Sequence, residues 1–439
     1  MSEQEGARRG ARESVRWGGA VVLGVLVPAL LLLVGHPRYF FDGDTEAAYL
    51  GWQTHLGEEV LAGRWPLLDP SAWHAANLVA EGQSGLFSPL AIAIGVVATI
   101  CGNVLVFATV LKLLLLCVGA TGVFALARSY GAVAPLAFVA GVAAPLGGMS
   151  QYLDLPSWLA GLTIWALMPW VWWALRRTML QHANPFAALV LGYLLVTVGY
   201  VYGTIMLILV LLACLLECRL ARDGRAALRV FGVGAVCGLV AVTVYLPGVL
   251  TAGVAERGAA FHLTGKFGSD PLAMLASVLP TAVVSDTTLH VLPYAYAAWF
   301  LPVLVYVDLE RLRRAWRPIA GVLVLAAVLL AVMVGPAQVA VLRWPLRLQP
   351  FLVQTLVVLC AVLLSRHVLR RPSRRRLGLA LVWVGAAGVV ALVRHPPGWV
   401  GIVVAALVVG AGVALGWLLV RGPRTSRRLS LAAAAAAAL

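Results

Sequence analysis

The sequence predicts an all-α, polytopic membrane protein, a bundle of about twelve transmembrane helices, and three observations carry that prediction. The 439 residues are 62% hydrophobic and only 12% charged, with a mean hydropathy of +0.93, whereas soluble domains are about 25% charged. Apolar runs of about 16 to 25 residues recur along most of the chain, near the ~20 residues that a helix needs to cross a bilayer. Arginine-rich and arginine-poor loops alternate between those runs, as the positive-inside rule requires. The net charge of +15 and pI of 10.2 are therefore a topology signal and not a nucleic-acid footprint.

Residues 1–16 form a polar tail carrying Arg8, Arg9, Arg12 and Arg16. The first span, Trp17–Gly35, lacks a small-residue cleavage site and reads as a retained anchor. A polar stretch follows to Pro89 and holds seven of the 18 acidic residues: Asp42, Asp44, Glu46, Glu58, Glu59, Asp69 and Glu81. Leu86–Ile100 is apolar, but its fifteen residues are short for a span and suit a re-entrant or interfacial helix. The later spans are drawn at 103–127, 132–148, 157–175, 185–200, 203–218, 229–250, 291–307, 318–334, 350–365, 377–393 and 400–420.

Parity decides the status of Leu86–Ile100. If it does not cross, there are twelve spans with both termini cytoplasmic, and 25 basic residues lie inside against 7 outside. If it does cross, the arginine clusters at 176–177 and 366–376 fall on the outer face, against the rule. The chain then reads as one transmembrane domain over 17–420, with outer loops at 36–89 and 251–290 and a cytoplasmic tail at 421–439. The Ala432–Ala438 run is set aside as a tag remnant or placeholder. The six cysteines lie in or at the ends of apolar segments with no CxxC or Cys/His cluster, so neither a disulfide framework nor a metal site is expected. Loops as long as the outer ones are usually functional or disordered, which places the activity outside.

Asp42-Gly43-Asp44 sets two carboxylates just after the first span. One could act as a general base toward an acceptor hydroxyl. The pair could instead hold a divalent cation, or the aspartates could cap the helix that starts at Thr45. Residues 45–61 have the apolar spacing of an amphipathic helix lying on the membrane. Gln53, His55, His74, Glu81, Gln83 and Gln151 are candidate substrate-binding side chains, each set against a plain structural role. Arg257, Lys266, Arg343 and Arg347 are candidate substrate-binding cations, each set against plain snorkelling at the interface. Lys112, amid leucines, either pairs with a carboxylate or reaches the interface. Trp158, Trp165, Trp170, Trp172 and Trp173 are assigned to interfacial belts and packing.

The run Phe41-Asp42-Gly43-Asp44, the helix after it, Gly63-Arg64-Trp65-Pro66-Leu67-Leu68-Asp69-Pro70 and Ser88-Pro89-Leu90 resemble the YfhO-like branch of bacterial GT-C membrane glycosyltransferases. The resemblance continues through Lys112, Ser150-Gln151-Tyr152, Pro156-Ser157-Trp158, Met168-Pro169-Trp170 and Arg347-Leu348-Gln349-Pro350-Phe351. Asp69-Pro70 stands where the family has Asn-Pro, and the large extracellular C-terminal domain of many relatives is absent from this sequence.

The resemblance implies an inverting glycosyltransferase of the bacterial plasma membrane. Its donor would be a polyprenyl-phosphate sugar of the outer leaflet, and its acceptor a cell-envelope glycan or glycolipid. Asp44 is the position matching the family's catalytic base and Asp42 the second. No cofactor is required, with a cation at Asp42 and Asp44 as the alternative. Three other readings stand against this. An O-antigen-ligase- or polymerase-like transferase would rely on Arg257, His262 and Lys266 and not on Asp44. A transporter or flippase shares the twelve-span layout but would carry its charge at mid-membrane in broken paired helices, with an internal repeat. A structural partner subunit would have the family fold without the activity.

Overall fold

The computed structural model describes residues 3–70, 77–254, 268–281, 292–339, 342–369 and 371–421. Along the chain the helices begin with α1 (Glu3–Gly35), α2 (Leu50–Leu61), α3 (Pro89–Cys101), α4 (Val104–Ser129) and α5 (Ala134–Ala143). They continue with α6 (Leu159–Leu180), α7 (Phe186–Thr197), α8 (Val201–Ala221), α9 (Gly224–Leu250) and α10 (Pro271–Ala276). The last are α11 (Leu309–Ala315), α12 (Ala320–Met333), α13 (Gln349–Arg366), α14 (Arg374–Arg394) and α15 (Trp399–Arg421). A two-residue antiparallel pair joins β1 (Gln338–Val339) to β2 (Leu342–Arg343).

Among the described residues, seven helical stretches are long and apolar enough to cross a membrane, or eight if the bent pair Leu309–Ala315 and Arg317–Met333 counts as one span. Several of the twelve spans drawn from the sequence are shorter in the structure. The 132–148 run yields the ten-residue α5 and one 3₁₀ turn at Ala144–Leu146, where Pro145 interrupts the α-helical ladder. The 185–200 run yields the twelve-residue α7. α3 has 13 residues, a length of about 20 Å, too short for a hydrocarbon core of about 30 Å.

Contacts divide the chain into two compact units, one of Met1–Pro28, Ala120–Tyr152 and Gly265–Leu439, the other of Ala29–Gly119 and Leu153–Thr264. In the second unit α6, α7, α8 and α9 pack on one another, and α2 packs on α3. The α3 start follows from sequence chemistry: Pro89 occupies the first turn, and Ser88 Oγ accepts the Ala91 N–H at 3.2 Å. Glycines allow α2 and α3 to touch backbone to backbone. A Cβ on Gly95 would lie 2.1 Å from the Gln53 carbonyl oxygen, and one on Gly57 2.3 Å from the Gly95 carbonyl carbon. Thr99 Oγ1 adds a hydrogen bond to the Thr54 carbonyl at 3.2 Å.

Arg176 on α6 and Glu217 on α8 form a buried ion pair, each side chain 4% exposed. Glu217→Gln leaves the guanidinium buried without a counter-charge, a loss of about 3–5 kcal/mol. It is expected to lower the melting temperature in detergent sharply, whereas replacing both residues by Met restores most of it; an unchanged melting curve for the single variant would count against the pair.

The first unit is built around α13, which is buried along nearly its whole length and packs on α5 and α12. The span drawn at 291–307 is corrected here. Residues 292–300 run as turns and irregular chain, followed by a 3₁₀ turn at Leu301–Tyr306. Its proline pair, Pro293 and Pro302, disfavours a continuous helix. Non-helical backbone at membrane depth persists only when protein satisfies it, and here protein does. The Gly148 N–H donates to the Tyr296 carbonyl at 2.8 Å, Gln349 Nε2 donates to the same oxygen, and the Ala297 N–H donates to the Ser277 carbonyl at 2.7 Å.

Candidate active site

The acidic turn lies in the second unit and is held against the segment 154–158. The Asp42 N–H donates to the Pro156 carbonyl at 3.2 Å, and the Asp44 N–H to Ser157 Oγ at 3.0 Å. Thr45 Oγ1 returns a bond to the Ser157 carbonyl at 2.7 Å. Gly43 sits at φ +52°, and a Cβ there would come within 2.5 Å of Ser157 Oγ. The position therefore needs glycine for its left-handed backbone and for the close approach.

Asp42 is exposed, with Oδ1 accepting the Gly43 N–H at 2.8 Å. Asp44 is half-buried at the head of a π-helical turn, Thr45–Tyr49, and its side chain makes no capping bond to that turn. The helix-capping role open from sequence is thus not what the Asp44 side chain performs. Glu46, one turn on, pairs with Arg38 at 2.7 Å on the surface.

Beneath this junction lies Lys112, fully buried on α4. Its Nζ donates to Thr45 Oγ1 at 2.7 Å, the Leu155 carbonyl at 2.7 Å and the Pro156 carbonyl at 2.9 Å. An ammonium has three donors, and all three are used. Lys112 therefore neither snorkels nor forms a direct ion pair; it fastens the two segments together. The charges acting on it are those of Asp154 and Asp42. Asp154 is buried, and its Oδ1 lies 2.7 Å from where a Cβ on Gly161 would sit, beside the first turn of α6, where the helix dipole favours a carboxylate. Sequence reasoning gave no site role to Asp154, Thr45 or Ser157, although Ser157 lies in one of the motifs that carry the resemblance. Their partners are too far away in the chain for any local pattern to join them.

An aromatic row continues from the turn. Tyr49 stands edge-on to Trp52 at 5.8 Å and to Trp158 at 5.3 Å, Trp158 is 6.1 Å from Tyr200, and Tyr200 is 5.2 Å from Tyr202. Trp158 thus packs between the acidic turn and α8, while Trp165 and Trp172, 1% and 2% exposed, are packing residues as expected. Tyr49 Oη donates to Gln83 Oε1. His55 Nε2 and Asp69 Oδ2 are 3.0 Å apart and line a cavity of about 130 Å³ with Trp52, Leu56, Leu78, Ser84 and Leu86. Gln53 Oε1 is buried on the same helix without a hydrogen-bond partner, and Glu81 is half-buried, its N–H bonded to the Asn77 carbonyl at 3.2 Å.

Asp42, Asp44, Gln53, His55, Glu81 and Gln83 therefore share one unit. Gln151, Arg343 and Arg347 fall in the other. There Gln151 Nε2 donates to the Pro145 carbonyl at 3.0 Å. Arg347 is half-buried with its guanidinium over the Trp344 ring, 4.5 Å from the centroid, and Arg343 pairs through its backbone with Gln338. His74, Arg257, His262 and Lys266 lie outside the described residues. Among the described residues, no group of three or more His, Cys, Asp or Glu side chains is placed to hold a metal ion.

No known protein family and no curated protein matches the sequence. Solved structures do match. A crystal structure of ArnT from Cupriavidus metallidurans bound to undecaprenyl phosphate superposes with a TM-score of 0.56 at 16% identity, over 96% of this chain and 76% of that one. The apo state of the same protein gives 0.51 at 16% identity, over 96% and 75%. The chain is thus a multi-pass, all-α membrane protein with a GT-C-like fold.

Proposed function

We propose that this protein is a membrane glycosyltransferase that takes its sugar from a polyprenyl-phosphate donor on the outer leaflet. It transfers that sugar, with inversion, to a cell-envelope glycan or glycolipid. The observation that supports the donor class is the fold likeness, over 96% of the chain, to a protein crystallised with undecaprenyl phosphate. On this reading the acceptor oxygen attacks the anomeric carbon while its proton passes to the Asp44 carboxylate. The bond from that carbon to the phosphate oxygen breaks, and polyprenyl phosphate leaves with the bonding pair. Asp42 is the second candidate base. Arg347, Arg343, Arg257 and Lys266 are the cations proposed to steady the phosphate charge, a task suited to fixed donors in a water-poor site. His55, Gln53, His74, Glu81, Gln83 and Gln151 are proposed to bind sugar hydroxyls. A bacterial plasma membrane location with both termini cytoplasmic belongs to the same proposal.

The test is turnover in proteoliposomes loaded with a panel of polyprenyl-phosphate sugars. One of them should yield free polyprenyl phosphate in step with sugar transfer, and the product should carry the inverted anomer. A retained anomer would remove the single-displacement mechanism. Because the lipid phosphate is already a good leaving group, EDTA is expected to change the rate by less than about twofold. The donor set at Asp42 and Asp44 is two carboxylates, which could hold a cation with help from a substrate phosphate. Loss of activity on chelation, restored by Mg²⁺ or Mn²⁺, would assign them to metal binding.

A further inference from the structure

Within the first unit, three chain segments converge at one end of the helices. The Asp308 N–H, just before α11, donates to the His367 carbonyl at 2.7 Å, and the Leu369 N–H donates to the Tyr306 carbonyl at 3.0 Å. Arg376, at the start of α14, donates from Nη1 to the Val305 and Val307 carbonyls at 2.6 and 2.8 Å. The end of α13, the start of α14 and the segment leading into α11 and α12 are thereby joined. From α15, Trp417 Nε1 donates to the Pro372 carbonyl at 3.0 Å, and Arg421 stacks on the Trp417 ring at 4.5 Å. α13, α14 and α15 are each long and apolar enough to span, so this end marks a membrane boundary.

α11 does not continue the line of α12. The two are bent by 86°, which turns α11 across the span direction. Its sequence, Leu309-Glu310-Arg311-Leu312-Arg313-Arg314-Ala315, followed by Trp316 and Arg317, mixes exposed arginines with exposed Leu309 and Trp316, 57% and 39% accessible. Its two acids are already engaged. Asp308 Oδ1 accepts the Arg311 N–H at 3.1 Å as the helix cap, and Glu310 pairs with Arg314. Arg313, Arg317, Arg371, Arg374 and Arg375 are exposed on the same convergence. Burial first, then the like charges of Arg366 and Arg311, hold His367 below the usual histidine range against the opposing charge of Asp308.

We propose that this face is a binding site for anionic phospholipid headgroups, with α11 lying in the headgroup plane. Leu309 and Trp316 dip toward the acyl boundary, as in interfacial amphipathic helices, while the arginines of α11 and α14 meet the lipid phosphates. The alternation of arginines along the chain accounts for charge at this end. It does not account for a helix turned by 86°, one acid paired with Arg314 and the other capping the helix, and an arginine-stacked indole on the same convergence. The site is independent of the sugar chemistry proposed above.

The test uses the full chain in neutral detergent, with thermal unfolding followed during titration with phosphatidylglycerol, phosphatidylcholine or inorganic phosphate. Phosphatidylglycerol should raise the melting temperature and persist as adducts in native mass spectrometry. Combining Arg313→Gln, Arg317→Gln and Arg375→Gln should weaken that lipid by about fivefold per arginine removed while leaving the unliganded melting temperature in place. Lysine at the same three positions should retain binding, and serves if the glutamine variant does not accumulate. Equal stabilisation by phosphatidylcholine would overturn the proposal. So would stabilisation by inorganic phosphate alone, or an undiminished phosphatidylglycerol response in the glutamine variant.

Discussion

Asp44→Asn is expected to reduce sugar transfer by about 10²–10⁴-fold, the usual contribution of a positioned general base, with expression and donor binding nearly unchanged. The substitution keeps the shape of the side chain and removes only its ability to take up a proton. The contacts that hold the turn run through the Asp44 backbone N–H, through Thr45 and through Ser157, so they survive the change. Asp42→Asn, at the exposed neighbour whose carboxylate closes a local bond to Gly43, should cost less. Turnover should therefore separate the two acids, and binding of polyprenyl phosphate should not. Retained transfer in Asp44→Asn would remove Asp44 as the base. Loss of transfer together with loss of donor binding would assign it to substrate recognition instead.

Lys112→Met is expected to have the second-largest effect. The methionine fills a similar volume but removes the ammonium that bridges Thr45 Oγ1 and the Leu155 and Pro156 carbonyls. Pro156 keeps the Asp42 N–H and Thr45 its bond to the Ser157 carbonyl. A buried acceptor that loses its donor, as the Leu155 carbonyl does, costs about 1–3 kcal/mol, and that cost falls on the junction that aligns the acidic turn. Transfer should drop by about 10²-fold or more, and backbone amides at 42–45 and 154–158 should exchange faster with solvent. Lys112→Arg is not expected to rescue, because a planar guanidinium with five fixed donors does not reproduce an ammonium seated among three converging oxygens. Wild-type turnover with unchanged exchange in Lys112→Met would show that the junction is positioned without it.

The contrast between Lys112 and the 291–307 segment shows how far the sequence could be read. A lysine inside a leucine run announces that something compensates its charge, and the sequence supplied that much. It could not supply the partners, because Thr45 is 67 residues away and Leu155 43. The segment 291–307 failed for the opposite reason. Hydropathy measures whether a stretch can be buried and is blind to how its backbone bonds are satisfied. Here Gln349, Gly148, Ser277 and Arg376, all distant in the chain, satisfy bonds that a helix would have met internally.

Local chemistry was the most legible. Ser88-Pro89 has the chemistry of a cap followed by a first-turn proline and does start α3, and Gly43, the residue type that a left-handed turn needs, takes one between two acids. The crossing of α2 on α3 through Gly57 and Gly95 was not legible, since small residues 38 positions apart announce nothing until the helices meet.

The measurement that tests the central claim most directly is lipid extraction of the purified protein followed by mass spectrometry of what travels with it. The account predicts a polyprenyl phosphate or its glycosylated form, enriched over the membrane extract, with a sugar mass that narrows the donor. Bulk phospholipid alone, with no polyprenyl species even after supplementation during purification, would contradict a polyprenyl-phosphate-dependent transferase and favour a transport or accessory role for this fold.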